Sequence, residues 1–166
     1  MRGPDSRLQL AKRRNQRKQA LPAFVEGLRS VVGLGLDIES RLLSLEDSAD
    51  YEQRLQGKFE QLRLVSALEE VKTRDISRFS EEVTRFFHQS EHELFAVFLC
   101  HWLQVGGIKL TGRELLRCHT SLLDWDGDTV LGGADDLGKV FLFDVTREES
   151  GGTRYEVAHW TATPQA

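Results

Sequence analysis

Cysteine is scarce. Only Cys100 and Cys118 occur, too few for a disulfide framework, and Cys100 falls in an apolar stretch where a reduced, buried thiol is expected. Long hydrophobic runs are lacking as well. The longest uncharged run, Leu94 to Ile108, contains His101 and Gln104 and falls short of the ~20 apolar residues that span a bilayer. No apolar signal-peptide core stands near the start. A cytoplasmic setting fits these features, with membrane-peripheral, nuclear and mitochondrial settings as alternatives. Glycine and proline are missing between Lys58 and Gly106, so no strong breaker stops a helix there. A positive balance is missing too. The net charge of −4 argues against a nucleic-acid partner.

The charge is uneven, however. Residues 1–20 hold seven Lys and Arg against Asp5, a net +6, which leaves −10 on the rest of the chain. Lys12, Arg13, Arg14, Arg17 and Lys18 form a basic arm that suits an anionic surface such as a membrane. At 166 residues the chain is long enough for one domain with a usable core.

The strongest periodic signal runs from Thr73 to Gly106. Ile76, Phe79, Val83, Phe86, Phe87, Leu94, Val97, Phe98 and His101 recur every three to four residues and fall on one helical stripe. Upstream, Phe24, Val25, Leu28, Val31, Val32, Ile38, Leu42 and Leu45 predict a helix over 23–44, bent or closely packed at Gly33 and Gly35. Tyr51, Leu55, Phe59, Leu62, Val65 and Leu68 predict the next helix, capped by Asp47 or Ser48. That helix either turns at Thr73 or continues to about Gln104, a rod of roughly 80 Å at ~1.5 Å per residue. After Gly106-Gly107 the apolar residues come in short clusters between glycine-rich turns, as in a small antiparallel meander.

The expected fold is therefore mainly α: three or four amphipathic helices, as a helical bundle or long antiparallel hairpin, followed by a small antiparallel β meander. The expected division is a basic arm over 1–22, a helical domain over 23–106 and a β-rich segment over 107–166. The expected function is a non-enzymatic adaptor or assembly subunit. Its aromatic helix face (Phe79, Val83, Phe86, Phe87, Leu94 and Phe98) would bind another protein or a second copy. If the face is covered from within, the same residues are core.

Three constellations could carry chemistry. His88-Gln89-Ser90-Glu91-His92 resembles the H-x-x-E-H of inverted zinc peptidases, which implies a zinc-dependent hydrolase with Glu91 as base. The two histidines lie on the wetter face of the expected helix, where solvated side chains are the simpler reading. Asp124, Asp126 and Asp128 alternate as in a calcium loop, but Thr129 stands where that loop requires glycine; an acidic turn is expected. Cys100-His101 and Cys118-His119 diverge by about 100° on a helix and are read as core or near-core. No cofactor or metal is assigned.

Two resemblances add partners. Thr111 to Asp144, with His119 opening the segment and Phe143-Asp144 closing it, is similar to one blade of a WD-repeat propeller. That resemblance, extended over 111–160, implies a protein-binding scaffold. The long helices and basic arm are similar in shape and charge to the membrane-curving helices of sorting nexins, which implies a peripheral membrane protein in trafficking.

Overall fold

The computed structural model describes residues 4–32 and 37–163. Helix α1 spans Pro4–Val32, α2 Ile38–Arg41, α3 Leu45–Leu64, α4 Ile76–Phe87 and α5 Gly112–Asp126. The strands are β1 Glu69–Thr73, β2 Leu94–Leu99, β3 Ile108–Thr111, β4 Thr129–Ala134, β5 Lys139–Arg147 and β6 Thr153–Thr161. They form one six-stranded sheet in the order β1-β6-β5-β4-β2-β3, with every pairing antiparallel.

This corrects the mainly α expectation. The molecule is an α/β fold built on a six-stranded sheet. Strands from both sides of residue 106 join that sheet, because β2 pairs with β3 and β4. The helix expected after Asp47 or Ser48 forms but neither turns at Thr73 nor runs to about Gln104: α3 stops at Leu64, β1 lies between α3 and α4, and β2 follows α4. The aromatic stripe of residues 76–101 is thus divided between a helix and a strand. Gly33 and Gly35, the expected bend, lie outside the described residues. Pro22 sits inside α1 without ending it.

Alternation along the strands gives the sheet two apolar faces. Phe95, Val97, Leu99, Val130, Phe141, Phe143 and Val157 point to one side, where they pack with Phe79, Val83 and Phe87 of α4, Leu115 and Leu122 of α5, and Phe24 and Leu28 of α1. Ala96, Phe98 and Val140 point to the other, where Tyr51, Leu55, Phe59 and Leu62 of α3 cover them. The sheet is therefore sandwiched between helices.

Local chemistry explains the boundaries. Helix α3 stops without glycine: Ser66 takes a left-handed φ of 53°. The Ser66 N–H donates to the Arg63 carbonyl at 3.1 Å and the Ala67 N–H to the Leu62 carbonyl at 2.9 Å, a Schellman cap. The reversal turns the chain into β1. Helix α5 opens on a capping box in which Thr111 and Glu114 exchange side-chain and backbone bonds. Gly127, at φ 80°, ends it.

Candidate functional site

A groove of about 1040 Å³ opens between α4 and the ends of β1, β5 and β6. Its volume is at the upper end of what ligand pockets span, about 300–1,000 Å³. Strand register builds its floor. Glu69 of β1 lies directly opposite His159 of β6, so both side chains rise from one face of the sheet. Glu82 of α4 comes down to meet them. The His159 Nε2 is 3.2 Å from Glu82 Oε1 and 3.7 Å from Glu69 Oε2. His159 and Glu82 are buried, whereas Glu69 is exposed. The Phe86 ring sits 5.1 Å from the imidazole.

Cations stand at the margins. Arg85, one turn along α4, donates to Glu82. Burial alone would raise the Glu82 carboxyl, but hydrogen bonds from Arg85 and His159 outweigh it and hold the group below its ordinary value. Lys139 donates to Glu93 Oε2 and Ser90 Oγ, both at 2.6 Å.

A second polar pair lies along the same helix. The His119 Nδ1 faces the Leu116 carbonyl at 3.0 Å and the Leu115 carbonyl at 3.2 Å, so Nδ1 carries the proton. The Nε2 then accepts from Ser80 Oγ at 3.1 Å. Burial lowers the His119 pKa against the opposing pull of those carbonyls, which keeps the ring neutral. The Ser–His contact has the reach of a nucleophile and base. However, Ser80 lies within α4, where its own N–H serves the helix and cannot form an oxyanion hole. The pair ties α4 to α5.

The expected site residues are distributed differently. Phe79, Val83, Phe86, Phe87 and Phe98 are buried in the core, with Phe86 the most exposed at 8%. Leu94 is 44% exposed at the start of β2. Phe79, Val83, Phe86 and Phe87 are covered from within by the sheet and α5, and Phe98, on the sheet's other side, by α3. His88 and His92 share no helix face, because α4 ends at Phe87 and both histidines lie in the following turn. Asp124, Asp126 and Asp128 straddle the end of α5 and form no loop. Asp126 turns inward and accepts the His101 N–H at 3.0 Å, while its Oδ2 is buried without a partner. Burial raises its pKa, against the His101 N–H bond and imidazole charge that lower it. Cys118 is buried, its thiol pushed up to about 12 by burial.

Along the arm, Lys12, Arg13, Arg14 and Lys18 are exposed and Arg17 is half-buried. Arg14 pairs with Glu46 of α3 at 3.2 Å. The helix they ride on is rooted in the core by Phe24 and Leu28, each 1% exposed. Among the described residues, no helix is long and apolar enough to cross a membrane.

Sequence reasoning missed the Glu69–Glu82–His159 group altogether. Its members come from three elements and are far apart in sequence. The register of β1 on β6 brings two of them together, and no local motif encodes that register. No family model, curated protein or solved structure matches the chain.

Proposed function

We propose that this chain is a non-enzymatic adaptor or assembly subunit that docks on an acidic surface of a partner protein through the basic half of α1. One observation carries the reading: Lys12, Arg13, Arg14, Arg17 and Lys18 ride on a continuous helix whose far end is fixed in the core. A helix already folded and rooted loses little conformational entropy on docking. Its positive field, set against the −10 of the remaining chain, orients an acidic partner toward the arm. The aromatic face of α4 offers no such surface, because it is occupied by the protein itself. A second reading, a peripheral membrane protein, is favoured by Leu8, which is 73% exposed among the same cations and could enter a lipid interface.

The test replaces all five cations with Gln and compares the variant with the parent in affinity purification from native cells and in sedimentation with phosphatidylserine vesicles. The adaptor reading expects a protein partner that is shed between low and high salt and is absent from the variant, with the circular dichroism unchanged. Vesicle binding lost in the variant, with the same proteins recovered by both chains, would replace it with the membrane reading.

A further inference from the structure

We infer that Glu69, Glu82 and His159 form a binding site for a divalent transition-metal ion, zinc being the best match, on the floor of the groove. Several observations converge on it. Zinc takes nitrogen and carboxylate donors at about 2.0–2.2 Å from the ion. Donors at that distance in a tetrahedron are about 3.3–3.6 Å from one another. Here the imidazole Nε2 lies 3.2 Å and 3.7 Å from the two carboxylates, and all three donor atoms lie within 4.8 Å of one another. Closing on an ion requires the donors to draw in, and Glu69, which is exposed, is free to adjust.

The framework is stiff where it matters. His159 and Glu69 are opposite residues of paired strands, and Glu82 belongs to a helix whose neighbours Phe79, Val83 and Phe86 are buried. The Phe86 ring beside the imidazole supplies an apolar flank that limits solvent access on that side. The donor types select the ion. Two carboxylates are too few for calcium, which takes six to eight oxygens, and the imidazole nitrogen suits zinc better than the all-oxygen shells of calcium or magnesium. Glu69 and His159 both line the groove, so the fourth position faces it. A water or a donor from a bound partner completes the shell there.

The competing occupant is Arg85, which donates to Glu82. Its side chain is 69% exposed, so it can swing into solvent and leave the carboxylate to the metal. This yields a discriminating expectation. In a plain salt-bridge cluster Arg85 is a supporting member; in a metal site it is a rival.

The experiment uses the full chain, purified without a metal column, stripped with chelator and titrated with zinc chloride by calorimetry. Binding of one zinc per chain is expected. Cobalt(II) should give the visible bands of a four-coordinate centre. Glu69→Gln should weaken zinc at least tenfold with the melting curve of the metal-free protein unchanged, since Glu69 is exposed. His159→Gln should do the same or more. Arg85→Gln should bind as tightly as the parent or more tightly. Replacing both His88 and His92 with Gln should change nothing. The inference is overturned if the folded parent shows no saturable zinc binding. It is equally overturned if Glu69→Gln binds like the parent, or if the His88 and His92 double variant loses the metal.

Discussion

Phe86 and Phe79 carry two meanings that only burial separates. Both sit on the apolar stripe of α4, and a stripe of that kind can face a partner or the chain's own interior. Phe79 is 0% exposed and packs edge-on to Phe143 and tilted against Tyr155. Phe79→Ala should cost about 3–5 kcal/mol, the range for a buried phenylalanine, read from the midpoint of urea unfolding. Phe86→Asp should leave little folded protein, because it would bury a carboxylate at an 8% exposed position among Phe87, Phe95 and Phe141; a folded variant with native circular dichroism would show this face is not core. Titration acts at the same scale. The neutral, buried His119 has a folded pKa below its unfolded value, so the unfolded state takes up a proton first as pH falls through ~6.5. Stability is lost from that point downward. Glu82 and Glu114, held low by their hydrogen-bond partners against burial, add a second loss as pH falls through the carboxylate range. Asp126 has the opposite sign, stabilising the fold more when protonated. Unfolding free energies at pH 7.5, 5.5 and 4 should decline in two steps, and His119→Gln should remove only the first.

Elements were legible where a single period governs and illegible where two periods fit. The helix over 45–64 and the strands of 129–161 follow from their spacing. The strand Leu94–Leu99 is a run of six apolar residues, LFAVFL, of which all but Leu94 are buried, on both sides of the sheet, and such a run matches a helical stripe as well as a strand. Without glycine or proline before it, the sequence offers no sign of the turn at 88–93. The stop after α3 was hidden in the same way, because a serine occupies the left-handed position that glycine usually marks. Helix α5 was hidden by a resemblance, although Thr111-x-x-Glu114 ahead of Leu115, Cys118, His119, Leu122 and Leu123 is a capping box with a helical stripe. These geometries predict opposite effects at two positions. Ser66→Gly relieves a strained φ and should stabilise by about 0.5–1 kcal/mol. Gly112→Ala would drive a methyl into the Ser90 carbonyl at the junction where the Gly112 N–H donates to Glu93, and should lower stability. Thermal melts of the two variants check both signs.

At the scale of the molecule, the sheet decides the dimensions. A rod of roughly 80 Å would have followed from an unbroken helix. Helices folded on both faces of one sheet predict instead a radius of gyration near 15 Å for a chain of this length, to be read by small-angle scattering with the mass from the same run. The groove and the arm belong to one body on this account, yet they sit on different elements and meet different chemistry. The arm's root has a further consequence. Phe24 touches the rings of Trp102 and Trp125, which stack 5.1 Å apart, and Gly27 of α1 leaves room for Trp125. The third tryptophan, Trp160, lies under Lys58 on the other face of the sheet. The arm is therefore a lever resting on two indoles, and the protein carries its own optical gauge. A load on residues 12–18 should change tryptophan emission through the stacked pair. Trp125→Phe should mute that signal while Trp160→Phe leaves it intact, so docking can be followed without attaching a dye.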